Sequence, residues 1–407
     1  MKLISLQALL LKLKKNLLEL TGKNMCISKC DILVVGSGLN ALGALRALGD
    51  CCDVLLVSHN VKGPAWHSKY GSRWESKNTA SDAFIEQLLE FGSKQKHKPL
   101  MLLTEELCVA KIATKLEQLN EYFITDLIPT KNTEELQSKS TFQALAESVG
   151  SPIPRSLTVN NIADLNRLDT LNFPCIFKPL EQNIAYGKQF KKGYKVESAE
   201  QVSKLYHEIY PVNPGMILQE WINGEDSDIY FYFCFISKSG DEVTSFCGRK
   251  IRSWPLKVGG TASCTSAPEY SDELREITLS FCKKVGFTGL MGMEYKRDPI
   301  KNKFIMIEPT VGRTDLQHEI ASLSGINVLQ EIGEYFGVCV AKKRAFRSVI
   351  WKDHYADKLA RLESSDDFKP VRAASYNALF RVSDLKPSII TFTKRIKVKC
   401  KHLFANV

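Results

Sequence analysis

Two glutamates, Glu294 and Glu308, stand in the stretch Gly289 to Arg313, GLMGMEYKRDPIKNKFIMIEPTVGR, in a pattern that could hold a cation. The β-prone runs Leu290–Arg297 and Lys303–Val311 flank a turn-like Asp-Pro-Ile-Lys-Asn, which is a hairpin signal. Both glutamates are equally far from the turn's midpoint at Lys301, so a symmetric register makes them cross-strand partners on one face. Two carboxylates directly opposite each other destabilise a sheet. A hard cation reverses that balance, because Mg²⁺ takes oxygen ligands and shares them with substrate phosphates. The hairpin is read as a metal floor for a nucleotide triphosphate; the alternative is an ordinary hairpin with two solvated glutamates.

Other residues could complete such a site. Lys139 opens a helical run that ends at Gly150, and Lys178 closes the apolar strand signal Phe173–Pro179. The segment Glu181–Val196, with Gly187, Gly193 and several lysines, could fold over phosphates, or could be a solvated hairpin. Met216–Ile222 reads as a strand carrying Gln219, Glu220, Trp221 and Ile222, followed by Asn223-Gly224 and the acids Glu225, Asp226 and Asp228. The run Gly248-Arg249-Lys250-Ile251-Arg252 crowds its cations, which calls for an anion or carboxylates, unless it is a charge-protected edge strand. The histidines are scattered, with no metal-ligand spacing, and no Ser–His–Asp or Cys–His arrangement appears.

The elements that must position these residues begin with a βαβ unit. Asp31–Val35 is a buried-strand signal, Gly36-Ser37-Gly38 a glycine turn, Ala44–Leu48 helical and Asp53–Val57 a second strand. The second strand ends Val57-Ser58-His59, without the carboxylate that a dinucleotide's ribose requires. A helix over Asp82–Phe91 with Ser81 as N-cap, a strand Pro99–Leu103 and a helix through Lys111–Leu119 complete a small doubly wound α/β domain over 26–125. Downstream, Ile229–Ile236 and Asp241–Gly248 read as strands. Ser271–Val285 reads as a helix capped by Ser271, and Gln317–Ser324 and Val328–Phe336 as further helices.

The order of these features resembles the ATP-grasp superfamily over roughly residues 26–340, and within it the carboxylate–amine ligase branch, whose relatives include D-aspartate ligase and carbamoyl-phosphate-synthase-like proteins. The resemblance implies an α/β, partly α+β architecture: a pre-ATP-grasp domain over 26–125, then a two-lobed ATP-grasp domain over 126–340 with a mobile lid near 172–215. It implies ATP and Mg²⁺, with Mn²⁺ as a substitute. Lys139 and Lys178 would hold the phosphates, Gln219-Glu220-Trp221-Ile222 would line the adenine, with backbone groups of Glu220 and Ile222 pairing the base, and Asp226 or Glu225 would hold the ribose. Glu294 and Glu308 would bind metal, Thr310 standing where the pattern usually has asparagine. Arg313 would face the acyl phosphate or its carboxylate substrate, with Arg249 and Arg252 as further phosphate or substrate contacts. The implied activity is ATP-dependent ligation of a carboxylate, small-molecule or saccharide, to an amine such as an amino acid, through an acyl phosphate. Two other readings stay open: an NAD-dependent oxidoreductase built on Gly36–Gly43, and a non-catalytic nucleotide-binding descendant. Substrate choice is expected to reside in the stretches Trp66–Ser81 and Thr261–Tyr270, read as loops.

The bulk numbers set bounds. With 407 residues, 44% hydrophobic and 25% charged, the chain has the make-up of a globular protein of two or three domains. Its net charge of +10 suits a phosphorylated or acidic ligand, while no nucleic-acid module accompanies it. The 12 cysteines include no CxxC pair, and the adjacent Cys51-Cys52 is awkward for a disulfide framework, so reduced, buried thiols are expected. Residues 1–25 read equally as an amphipathic basic helix at a membrane surface or as a disordered leader, with Met25 as an alternative start. Residues 341–407 read as a basic extension. A cytoplasmic protein is expected, with peripheral contact to the inner face of the membrane through its basic termini and a homodimer left open.

Overall fold

The computed structural model describes residues 29–181, 184–364 and 372–394; the expectations for the leader and for most of the C-terminal basic run lie outside the described residues. The first layer is a parallel sheet of β1 (Ile32–Val35), β2 (Val54–Ser58), β3 (Ser72–Glu75) and β4 (Leu100–Leu103), in the order β3-β2-β1-β4. All four residues of β1 are buried, and each such side chain contributes roughly 1.5–3 kcal/mol, so packing rather than propensity fixes the strand. Helix α1 (Leu39–Leu48) covers one face; α2 (Asp82–Ser93), capped by Ser81 Oγ accepting from Phe84 N, and α3 (Glu106–Ala113) cover the other. The helix expected through Leu119 breaks after Ala113 and resumes as α4 (Leu116–Asn120). The stretch Trp66–Ser81, read as a loop, contains β3.

After α5 (Thr133–Gln137) and α6 (Lys139–Ser148), a small lobe forms from β5 (Ser156–Val159), β6 (Cys175–Pro179), β7 (Tyr194–Val196) and β8 (Met216–Glu220), in the order β5-β8-β6-β7. Helices α7 (Ile184–Gln189) and α8 (Ala199–Ile209) belong to it, and α8 packs Val202, Tyr206 and Ile209 on the lobe's own core.

The largest sheet has seven strands: β9 (Ile229–Ile236), β10 (Glu242–Trp254), β11 (Gly260–Ser266), β12 (Gly289–Asp298), β13 (Lys303–Val311), β14 (Val349–Lys352) and β15 (Ala374–Asn377). Its order is β13-β12-β9-β10-β11-β14-β15. On one face lies α9 (Ser271–Val285), whose N-cap is Tyr270 rather than the expected Ser271. On the other lie α10 (His318–Ser324) and α11 (Val328–Tyr335), which meet α1, so one continuous core joins the first sheet to the large one.

Two expectations fail here for one reason. Residues 261–266 are not a loop but belong to β11, and the cation run is not an edge strand, because β10 lies between β9 and β11. Gly-Thr-Ala-Ser-Cys-Thr-Ser carries no apolar alternation, yet six of its seven positions are buried by the strands beside it. Beyond residue 340, β14 pairs with β11 and β15 with β14, and α12 (His354–Glu363) packs on β10 and β11. That stretch is part of the large sheet.

Candidate active site

The hairpin β12–β13 places Glu294 opposite Glu308, as the sequence predicts, but not by simple symmetry. Next to the turn, Asp298 pairs with Lys303 and Tyr295 with Met306, a register that would set Ile307 against Glu294. A β-bulge skips Ile307 and brings Glu308 into line. Thr310 follows on β13, opposite Gly292. Glu294 is 19% exposed in its side chain and accepts from Lys250 Nζ at 3.0 Å and from Gln317 Nε2 at 2.6 Å. Glu308 is 54% exposed, with Lys139 Nζ at 3.8 Å.

Cations converge on this pair. Desolvation by the surrounding protein would raise the Glu308 pKa, but Lys139, Lys178, Lys192 and Lys250 outweigh it and hold the carboxyl below its ordinary value. Burial pushes the Lys178 amine down to about 8 despite the attraction of Glu308, with Lys139 and Lys192 adding repulsion. Lys139 opens α6 as expected, and a cleft of about 10 Å³ is lined by Lys139, Lys178, Gln219 and Glu308. The buried Gln219 donates to Gln143 Oε1 at 3.0 Å, which ties β8 to α6.

The segment after β8 sits where the small lobe meets the hairpin. Glu220 gives its N–H to Arg155 O, and its side chain accepts from Asn172, so only part of the backbone edge expected at Glu220 and Ile222 is uncommitted. Trp221 is flanked by two ammonium groups, Lys195 Nζ of β7 at 5.4 Å and Lys296 Nζ of β12 at 5.1 Å from the ring centre. Cation–π contacts of this kind contribute about 0.5–2 kcal/mol and link the two lobes across the ring.

Of the two acids expected at a ribose, Asp226 is committed elsewhere. It is buried, its Oδ2 accepts Ser253 N and its Oδ1 accepts Lys257 N, both at 2.9 Å, so it braces the turn after β10. Glu225 is exposed beside Lys257, at 3.7 Å. Asp226→Asn is expected to cost about 1.5–3 kcal/mol in urea unfolding, the worth of hydrogen bonds to a charged acceptor, whereas Glu225→Gln should stay within about 0.5 kcal/mol. Equal losses in the two variants would contradict this assignment.

The three arginines separate. Arg313 follows β13, its Nη1 donating to Thr314 O at 3.1 Å and its Nη2 lying 3.4 Å from Glu106 of α3. Arg252 is paired at 2.8 Å with Asp357 of α12, an acid that Ser263 also bonds. Arg249 lies opposite Tyr230, whose ring belongs to the core under α9, so it faces away from Glu294. The expectation that Arg249 and Arg252 contact phosphate or substrate is corrected accordingly: the group of this run that reaches the carboxylates is Lys250. Alternation turns Arg249 away from the face of Lys250, whereas Arg252 shares the parity of Lys250 and is set apart by the irregular register on either side of it.

The glycine turn of the first sheet is filled from within. Glu105 Oε1 accepts Ser37 N at 2.9 Å and Glu105 Oε2 accepts Thr79 Oγ1 at 3.2 Å, so a carboxylate occupies the place where a dinucleotide would set its phosphates. Gly36, at φ 139°, lies where a Cβ would come within 2.1 Å of Thr104 Oγ1. Asn40 then donates to Thr104 O at 2.8 Å and Thr314 O at 2.7 Å, which anchors the segment behind Arg313 to the first domain. This turn is a scaffold for the site, not a nicotinamide pocket.

Comparison with known proteins bears on the fold. No family model matches the chain. It is similar to D-aspartate ligase of Enterococcus faecium (strain Aus0004), 23% identical over 321 residues that cover 74% of this chain and 75% of the relative. Among solved structures it resembles N5-carboxyaminoimidazole synthetase of Staphylococcus aureus complexed with ADP, at TM-score 0.59 and 13% identity over 78% of this chain and 79% of that one. It also resembles the biotin carboxylase domain of Hydrogenobacter thermophilus 2-oxoglutarate carboxylase, in complex with MgADP, ADP and bicarbonate, at TM-score 0.58 and 12% identity over 79% and 73% of the two chains. The chain shares the fold of these solved structures, the ATP-grasp fold that the order of its motifs implies. Among the described residues, no helix is long and apolar enough to cross a membrane.

Proposed function

We propose that the chain uses ATP and Mg²⁺ to join a carboxylate to an amine, releasing ADP and phosphate. The observation that carries this reading is the bulge-aligned Glu294–Glu308 pair ringed by lysines from the small lobe, α6 and β10. The donor set fits a hard cation: two carboxylates share one face, and an ammonium group 3.0 Å from Glu294 already draws positive charge to it. Glu294 and Glu308 would hold Mg²⁺, with Thr310 beside them, and the ion would neutralise phosphate charge.

The chain's own residues supply position and charge. Lys139 and Lys178 hold the phosphates, and Glu225 holds the ribose. The Glu220 carbonyl and the Ile222 N–H face the base, beside Gln219 and Trp221. Arg313 orients the carboxylate, and Lys250 offsets negative charge between the carboxylates and the substrate. A carboxylate oxygen attacks the γ-phosphorus as the bond to ADP breaks; the amine nitrogen then attacks the acyl carbon, phosphate leaves, and the amine's proton passes to solvent. Alignment and charge neutralisation suffice for this chemistry, so no protein nucleophile is needed. The curated relative makes an amino acid such as D-aspartate a first substrate to test.

The test is ADP release across carboxylate and amine pairs, beginning with D- and L-aspartate, with Glu308→Gln as control. Stimulation by one pair well above that control is expected; no stimulation by any pair would reduce the reading to nucleotide binding.

Lys178 gives the site a pH signature. Its amine titrates near 8, and phosphates beside it favour the charged form, so nucleotide binding takes up a proton above that pH. Nucleotide affinity, by calorimetry, is expected to fall up to about tenfold per unit as pH rises through 8, and Lys178→Arg should flatten the slope. Stability moves the other way. The unfolded amine, with its ordinary value of 10.5, holds more protons than the folded one between 8 and 10.5, so this group favours folding increasingly across that window.

A further inference from the structure

Far from the carboxylate pair, two helix C-termini bring three thiols together. Helix α1 ends at Gly49, whose φ of 57° turns the chain back, and Cys51 N donates to Leu48 O at 3.2 Å. Helix α11 ends in a similar turn at Gly337, with φ 69°, and Cys339 N returns to Gly333 O at 3.3 Å. A Cβ on Gly333 would lie 2.4 Å from Cys339 Sγ, so the helix surface is cut away where that sulfur sits. The two helices are fastened by Asn327 Nδ2 at 2.7 Å and Gln330 Nε2 at 2.9 Å, both donating to Ala47 O. As a result Cys51, Cys52 and Cys339 place their sulfurs within 4.8 Å of one another, half-buried.

The spacing suits coordination better than oxidation. Cys51 and Cys52 Sγ are 3.7 Å apart, close to the roughly 3.8 Å between two sulfurs that share a tetrahedral ion at about 2.3 Å from each. A disulfide between sequence neighbours is unfavourable, since adjacent Cα atoms are about 3.8 Å apart and a relaxed disulfide needs about 4.4–6.8 Å. Both helices also point their negative dipole ends at the cluster, which favours a cation.

We propose that Cys51, Cys52 and Cys339 form a binding site for a thiophilic d¹⁰ cation, Zn²⁺ or Cu⁺, which clamps the first domain to the helices behind Arg313. Three thiolates leave one coordination position, and Cys51 and Cys52 line a cleft of about 1000 Å³ through which a water could supply it. This site is separate from the carboxylate pair, and its existence does not depend on the ligase reading.

The test uses the full-length chain, reduced and metal-stripped, titrated with Zn²⁺ against a chromophoric chelator and, in a separate anaerobic arm, with Cu⁺ against a Cu⁺ chelator. Co²⁺ serves as an optical probe through its sulfur charge-transfer bands. One ion per chain is expected, with affinity lowered at least a hundredfold in Cys339→Ser and in the Cys51→Ser, Cys52→Ser double variant. Cys339→His, which keeps a ligand nitrogen, should retain Co²⁺ with a weakened sulfur band. In the unmodified protein, thiol alkylation should release the ion in step with loss of the three thiols, a readout that needs no variant to fold. The proposal is overturned if the reduced protein binds neither ion stoichiometrically, if the serine variants bind as well as the parent, or if Cys339 is isolated quantitatively in a disulfide with no metal present.

Discussion

Glu308→Gln is expected to lower ADP release at least about 1000-fold while leaving the protein folded. A preorganised electrostatic group is worth roughly 10²–10³ in turnover when one donor is removed, and Glu308 does two such jobs. It would supply half of the anionic pair on the hairpin, and it is the counter-charge toward which Lys139, Lys178, Lys192 and Lys250 are drawn. Its side chain is 54% exposed, so the exchange should change stability by less than about 1 kcal/mol. Binding separates the two roles. With the divalent cation chelated, nucleotide affinity should hold or rise, because the lysines lose an internal anion. With Mg²⁺ restored, the parent should gain affinity and the variant should not. Retention of a tenth or more of the parent's ADP release would remove Glu308 from the proposed site.

Much of this site is legible in the sequence because its parts are local. The hairpin, the helix that starts at Lys139 and the strand that carries Lys178 each follow from short-range signals, and their order is more specific than any one of them. The facing glutamates are predicted correctly, although the argument from symmetry omits the bulge at Ile307 that makes the pairing real. What is not legible depends on distant partners. Asp226 and Glu225 look interchangeable until Ser253 and Lys257 fold onto one of them. Strand β11 hides because its residues are small and polar and are buried only by neighbouring strands. The glycine turn resembles a dinucleotide loop until Glu105, from another βα connection, closes it. The cation run misleads for a further reason: charge points to the arginines, whereas alternation at Arg249 and the irregular register at Arg252 leave Lys250 as the residue that reaches Glu294.

That residue gives the second large effect. Lys250→Met is expected to destabilise the fold by about 3 kcal/mol and to cut ADP release at least about 100-fold. Its side chain is 4% exposed; burial opposes its charge, but Glu294, with Asp315 and Glu308 behind it, outweighs that and raises its pKa. Removing one partner of a buried pair typically costs about 3–5 kcal/mol, because the other charge is left uncompensated. Glu294 keeps Gln317 as a donor and some solvent, which puts the loss at the lower end. Lys250→Met combined with Glu294→Gln should recover part of the stability, with a coupling of about 1–3 kcal/mol in a double-mutant cycle. Stability alone does not distinguish a brace from a working cation, but metal affinity does. The Lys250 ammonium competes with a divalent cation for Glu294, so Lys250→Met should bind Mn²⁺ more tightly, by about tenfold in paramagnetic titration, even as turnover falls. Unchanged Mn²⁺ affinity with the same loss of stability would make Lys250 a structural partner of Glu294 alone, and would place the divalent cation away from that carboxylate.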